Sequence, residues 1–282
     1  MDKSSHSEVE GYLMCQRRHY YNYGEKIQSI DMDEKLIRGI VGHACHEAYY
    51  KARMNGADHQ EAMEPGTTAL WDTYEGYKTQ LFNPTKFISS LSVLIDHYWA
   101  EYEFDKLKVL EVEVLHTVQL TDEFSMPVKM DLIADVPGWG ITVIDHKFSY
   151  DFASVDKLDL ATQLPKYFLA ARELDFDVRE IALNECRTRE TIANKANPSE
   201  KFRRTPIPWT IPKIETIMRE QMVAAQRITR LKSMNLLDWE QSVLRNPMAC
   251  NMCDYPEVCI ADLNQKDQNL IRAQYYQPKE YR

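Results

Sequence analysis

The stretch VKMDLIADVPGWGITVIDHKF, residues 128–148, decides the fold. Its two β-prone runs, residues 128–136 and 141–148, are separated by Pro137-Gly138-Trp139-Gly140. A short Pro/Gly turn between two such runs predicts an antiparallel hairpin. Side chains alternate along a strand, so Asp131 on the first arm and Asp145 and Lys147 on the second are expected on one shared face. Two carboxylates beside an ammonium make a plausible cradle for a divalent ion. Hydrolysis of a phosphodiester needs a water made nucleophilic near neutral pH and charge stabilisation on the non-bridging oxygens, and such an ion supplies both. Lys147, a compact ammonium on a flexible stem, suits the placing of that water and the opposing of developing charge.

Working outward, residues 110–120 alternate apolar and polar side chains and predict a half-buried strand before the hairpin, carrying Glu113. Residues 154–174 predict a helix after it, 178–187 a further strand and 211–236 a long amphipathic helix. Upstream, residues 7–23 predict a helix. A second opens on Asp33 as a cap and stops at Asn55-Gly56. Pro65 and Asn83-Pro84 each predict the start of another. No repeat or linker interrupts the chain, so a single domain over residues 1–282 is expected, with a helical insertion near 56–106. The fold class expected is α/β, a mixed central sheet flanked by helices.

The chain has 282 residues, 44% of them hydrophobic, enough for a sizeable core. The net charge of −9 argues against a protein that coats nucleic acid by bulk electrostatics. It leaves room for a DNA enzyme with a local basic stripe, and Arg187, Arg189, Lys195, Lys201, Arg203 and Arg204 form such a run, readable also as a solvated loop. No apolar run is long enough to span a membrane, and the start MDKSSHSEVEGY has no export signal, so a cytoplasmic location is expected. Six cysteines in such a setting are expected as thiols, not disulfides.

On the helix before the strands, His46 in Gly42-His43-Ala44-Cys45-His46 can offer an imidazole as a third ligand, or be an ordinary packed histidine. Imidazole beside carboxylates favours Mn2+, and an oxygen-only site Mg2+. Gln163 and Tyr167 lie four apart, hence on one helical face, within reach of the lysine, the attacking water or a DNA backbone.

Gly42-x-x-x-His46, Asp131, Asp145-x-Lys147 and Gln163-x-x-x-Tyr167, taken in this order, resemble the RecB-type branch of the PD-(D/E)XK nuclease superfamily. The resemblance implies a restriction-endonuclease-like core in which His46, Asp131, Asp145 and the main-chain carbonyl of His146 hold Mg2+ or Mn2+ while Lys147, Gln163 and Tyr167 assist catalysis. Glu113 resembles an acidic position often seen on the preceding strand. Val128 departs from the glycine common three residues before the aspartate.

Cys250-x2-Cys253-x5-Cys259 near the C-terminus and Cys15 near the N-terminus give four thiols fit for one cluster or one zinc. Their one-plus-three arrangement is similar to the iron-sulfur staple of AddB-type and CRISPR adaptation nucleases. That similarity implies a structural [4Fe-4S] cluster joining the N-terminal helix to the C-terminal tail.

The function expected is hydrolysis of DNA, acting as an exonuclease on single-stranded ends, 5′ to 3′ favoured. Arg17, Arg18, Tyr20, Arg203 and Arg204 are then expected to grip or stack on the strand, though the first three could instead pack the N-terminal region. A helicase, recombination or CRISPR adaptation protein is the expected partner besides DNA, with no membrane. Two rival readings are a structure-selective endonuclease and a catalytically silent DNA-binding or assembly subunit.

Overall fold

The computed structural model describes residues 2–119, 124–154, 158 and 162–279. In chain order the strands are β1 (Asp2–Lys3), β2 (Ile27–Ser29), β3 (Lys108–Gln119), β4 (Phe124–Val136), β5 (Gly140–Ser149), β6 (Glu180–Arg187), β7 (Phe202–Pro206) and β8 (Tyr276–Pro278). The helices that bear on the argument are α1 (His6–Met14), α2 (Gln16–His19), α3 (Glu34–Met54), α4 (His59–Tyr77), α5 (Pro84–Glu101) and α6 (Leu164–Glu173). None of the described helices is long and apolar enough to cross a membrane. The chain forms two compact units, one of Asp33–Val118 and Val128–Ile214, the other of Met1–Met32, Gln119–Pro127 and Glu215–Arg282.

The first of these units holds the expected hairpin. Gly138 and Gly140 take φ of +82° and +77°, the left-handed region that glycine enters without a Cβ penalty, and the turn closes with Trp139 N–H donating to the Val136 carbonyl at 2.9 Å. β4 and β5 pair antiparallel with Leu132 opposite Ile144. β5 then pairs parallel with β6, setting Asp145 beside Leu183 and Lys147 beside Glu185, and β6 pairs antiparallel with β7. β3 pairs with β4. The sheet is therefore mixed, as expected. β5 is interior to it, and its consecutive residues Val143 and Ile144 are both fully buried, the mark of a strand covered on both faces.

Helices cover those faces. α3 is capped by Asp33, whose side chain accepts from Lys35 N–H, carries Glu34 in its first turn and Lys51 and Arg53 in its last, and ends where Gly56 takes φ +96°. Its stripe Ile37, Val41, Cys45 and Tyr49 is buried at helical spacing. α3 lies against β5 at Gly42, where a Cβ would sit 2.5 Å from the Phe148 ring. A second close approach occurs at Gly66 of α4, where a Cβ would be 3.0 Å from Trp99 of α5. α4 begins at His59 behind an Asp58–Glu61 capping box and runs through Pro65, so the start expected at the proline lies well inside the helix. Of the helix expected from residue 154, positions 155–157 and 159–161 lie outside the described residues, and the described part is α6.

In the other unit β1 runs parallel to the start of β4, and β2 pairs antiparallel with β8. The single helix expected over residues 7–23 is broken. Cys15 is extended (φ −161°, ψ 114°) between α1 and α2, and a wider turn follows over Tyr20–Gly24.

The expected iron-sulfur staple is not supported. Among the described residues no cysteine belongs to a group of three or more His, Cys, Asp or Glu side chains whose ligand atoms lie within 4.8 Å of one another. The thiols are scattered and engaged separately. Cys15 Sγ accepts from Asn246 N–H at 3.4 Å, Cys259 Sγ from Arg245 Nε at 3.4 Å, and Cys250 is exposed. Charge ties the two ends of the chain instead. The buried Arg17 donates to Glu240 at 3.2 Å and to Asp262 at 2.8 Å, Arg18 pairs with Asp254 at 2.7 Å, and Arg272 forks onto Glu25 at 2.6 and 2.7 Å. Of these only Arg17 is buried, and removing one partner of a buried, hydrogen-bonded guanidinium–carboxylate pair costs about 3–5 kcal/mol in typical cases, whereas the more exposed Arg18 pair contributes far less.

The packing of α3 yields a paired test. Gly42→Ala is expected to destabilise by about 1–3 kcal/mol, because the rigid Phe148 ring must move. Gly39→Ala, with nothing within 4 Å of its added Cβ, is expected to stabilise by about 0.5–1 kcal/mol through helix propensity. Urea midpoints of the two variants should move in opposite directions.

Candidate metal and hydrolytic site

Successive β5 residues present their side chains to opposite sides of the sheet. Asp145 faces α6, where Tyr167 Oη donates to its Oδ1 at 2.8 Å. His146 faces α3, its ring centroid 4.6 Å from that of His46. Asp145 is 1% exposed, and its Oδ2 is 2.8 Å from Lys147 Nζ. Gln163 accepts weakly from Lys147 at 3.4 Å and donates to Tyr167, so the four groups expected from the sequence form one connected chain of Lys147, Asp145, Tyr167 and Gln163.

Asp131 lies one residue beyond the Leu132–Ile144 pair, so continuation of that register sets it against Asp145. The His146 N–H donates to its Oδ2 at 2.8 Å. Burial, and then the Asp145 charge, push the Asp131 carboxyl well above the ordinary carboxylate range, against the opposing pull of the His146 N–H. Burial lowers the Lys147 ammonium, but Asp145 and Asp131 outweigh it and hold the amine above its usual value. Lys147 is thus a charged group at neutral pH. Its role is that of a positive charge beside the carboxylates, with no spare lone pair to act as a base.

The histidine beside the carboxylates is not the one expected from the sequence. His43, not His46, stands by the carboxylates: its Nδ1 is 3.6 Å from Asp131 Oδ2, and His43, Glu113 and Asp131 have ligand atoms within 4.8 Å of one another. Burial lowers the His43 pKa more than Asp145 raises it, which favours the neutral imidazole that ligates metals. His46 is 1% exposed, has its ring tilted against that of Tyr98 at 4.3 Å, and has burial pushing its pKa down to about 3. The signal that separates the two was present in the helix. His43 and Glu47 share a half-buried face of α3, while His46 and Tyr50 share the buried one, and Gly39-x-x-x-His43 has the same spacing as Gly42-x-x-x-His46.

Glu113 reaches the group from an unusual backbone. Within β3 it takes φ +57°, a conformation a non-glycine residue adopts at a cost of order 1–3 kcal/mol, and its carboxylate is ion-paired with Lys129. Burial raises its pKa, partly offset by Lys129. Such outliers cluster at functional sites and bulges, where they re-aim a side chain.

The side chains expected to grip DNA are mostly engaged within the protein. Arg17 and Arg18 are ion-paired as described, and Tyr20 is 4% exposed against Trp239. Arg203 donates to Glu185 and to the Ala153 carbonyl at 2.7 Å. Arg204 pairs with Asp105 at 2.7 Å, its side chain 10% exposed. His146 has its side chain turned from the carboxylates to Asn184, whose Nδ2 lies 2.9 Å from its Nδ1.

The donor set fits a divalent cation: a neutral imidazole and two carboxylates converge, and one of those carboxylates is penalised by burial beside a like charge. A bound cation would relieve that penalty. Mn2+ is therefore expected to raise the melting temperature of the protein and of His46→Ala, and to leave His43→Ala unmoved, as read by differential scanning fluorimetry. The pH dependence has a definite sign. Because the folded chain holds the Asp131 proton to higher pH than the unfolded chain, metal-free stability should fall as pH rises from about 4 through neutrality. The stabilisation by Mn2+ should grow over the same range, and Asp131→Asn should flatten both trends.

A match to the PD-(D/E)XK nuclease superfamily runs over residues 3–260. Among solved structures, one from Eubacterium rectale named "Putative exonuclease" superimposes with a TM-score of 0.52 at 12% identity, covering 89% of this chain and 85% of that one. SSO0001 gives a TM-score of 0.39 at 14% identity, covering 92% and 86%. No curated protein matches in sequence. With its mixed sheet, flanking helices and acidic cluster, the chain belongs to the PD-(D/E)XK nuclease superfamily.

Proposed function

We propose that the protein hydrolyses DNA phosphodiesters with Mg2+ or Mn2+ held by His43, Glu113, Asp131 and Asp145. The observation that carries this reading is the convergence of His43, Glu113 and Asp131 within 4.8 Å, beside an Asp145–Lys147 pair 2.8 Å apart. When bound, the ion supplies Lewis-acid activation of the phosphoryl group and a water of lowered pKa. The protein's own groups do the rest. Asp131 is oriented by the His146 N–H and Asp145 by Tyr167, while Lys147 sets a full positive charge where a pentavalent phosphorus would carry added negative charge. Gln163 and Tyr167 fix the position of that lysine and its carboxylate and exclude alternative rotamers. The His146 carbonyl is the additional ligand proposed from the family resemblance.

The proposed mode is exonucleolytic, on single-stranded ends and in the 5′ to 3′ direction. The acidic body supports a local grip on one strand over a broad hold on duplex, since wrapping duplex requires an extended basic surface.

Labelled single-stranded DNA with free or blocked ends, and a single-stranded circle, test both parts. Wild type with Mn2+ should degrade free 5′ ends and spare the circle. Asp145→Ala and Lys147→Ala should each lower kcat by at least about a hundredfold, the scale of removing a group that stabilises developing charge. Equal rates in all three proteins remove the site, and cutting of the circle replaces the exonuclease mode with an endonuclease one.

A further inference from the structure

A cavity of about 340 Å³ opens beside the acidic site, its lining including Asp145, Lys147, Gln163, Ser149, Asp151 and Ala153. Its size is at the lower end of small-molecule pockets and suits a single nucleotide far better than a base pair. Its lining residue Asp151 adjoins a cluster of aromatic rings and guanidiniums. Tyr150, between two lining residues in the chain, is 64% exposed, with the Arg189 guanidinium 5.7 Å from its ring. Phe152 lies under two more guanidiniums, Arg187 at 4.0 Å and Arg203 at 4.6 Å. Arg187 and Arg189 both rest on Asp151, at 2.9 and 3.1 Å, and the Arg189 side chain is 49% exposed. Aromatic faces interleaved with guanidiniums are the surface that unpaired nucleic acid selects, because every base has a π-face and every linkage a phosphate.

Resting on the nuclease reading above, we infer that this cavity and the adjoining Tyr150–Arg189 cluster form a subsite for the unpaired nucleotide next to the scissile phosphate, with Tyr150 as the stacking face and Arg189 as the phosphate contact. A base still held in a duplex cannot enter, so the subsite makes unpaired strand the preferred substrate. In the free protein Asp151 occupies the two arginines. An incoming phosphate takes its place on Arg189, the more exposed of the pair.

Fluorescence anisotropy of a labelled oligothymidylate, in EDTA to prevent turnover, tests the subsite independently of catalysis. Tyr150→Ala should weaken binding by about five- to a hundredfold, the scale of one base–aromatic stack. Tyr150→Phe should retain it, Arg189→Ala should weaken it, and Asp151→Asn should tighten it by freeing the arginines. A blunt duplex should respond to none of the changes at Tyr150. Unchanged oligothymidylate affinity in Tyr150→Ala, or equal losses on duplex and single strand, overturns the inference. Hydrolysis of bis(4-nitrophenyl) phosphate with Mn2+, a phosphodiester without bases, is followed in parallel. Wild type inactive on it and on DNA defeats the nuclease reading, whereas wild-type activity sustains that reading and leaves the oligothymidylate result to decide the subsite.

Discussion

Two carboxylates that face each other across adjoining strands inside a protein repel, and neither has enough water to relax the repulsion. The β4–β5 pairing closed by the Pro137–Gly140 turn runs to Leu132 opposite Ile144 and so brings together Asp131 and Asp145, the next residue on each strand. A carboxylate pair of this kind costs stability in the metal-free fold, which the chain meets with one backbone N–H on Asp131 and one ammonium and one phenol on Asp145. These groups reduce the penalty without abolishing it, as the raised Asp131 pKa records. A site that remains electrostatically unsatisfied is one that gains from a cation, and the rest of the architecture serves to keep it so.

The helix packing shows how. α3 can lie on β5 only because residue 42 has no side chain against Phe148, and that contact sets the height at which His43 meets Asp131. Behind it, the buried layer of His46, His146, Asn184, Tyr98 and Tyr50 is held by Asn184 donating to Tyr98 Oη at 2.8 Å and by a 2.6 Å Tyr50–Tyr98 bond. The partnered groups Asn184, Tyr98 and Tyr50 fix one arrangement of this layer, while the ring nitrogens of His46 are buried without a hydrogen-bond partner. On the other side of β5, Tyr167 and Gln163 brace Asp145 and Lys147 from α6. The strained Glu113 completes the ring from β3, storing in its backbone some of the stability released by helix and sheet burial elsewhere.

Local signals carried much of this. The hairpin was legible because alternation and a Pro-Gly turn act over a few residues, and α3 because Asp33 and Asn55-Gly56 mark its ends within one turn. What failed depended on partners distant in sequence. β7 was hidden by its arginines, which read as a solvated run until Glu185 and Asp105, 18 and 99 residues away, neutralise them. β2 and β8 are three residues each, too short for any periodicity. The cysteine spacing marked the two ends of the chain that do come together in one unit, yet four thiols in one region are not four converging ligands, and guanidinium–carboxylate pairs do the tying. The choice of His46 over His43 was a matter of helical phase: both lie one turn after a glycine, and only the half-buried face reaches the carboxylates.

The most direct measurement is anomalous diffraction from a crystal soaked in Mn2+. The account predicts a single strong peak in contact with His43 Nδ1 or Nε2, Glu113, Asp131 and Asp145, with Lys147 close by and His46 outside the coordination sphere. A peak seated on His46, or an ordered crystal in which these carboxylates bind no metal at all, would contradict it.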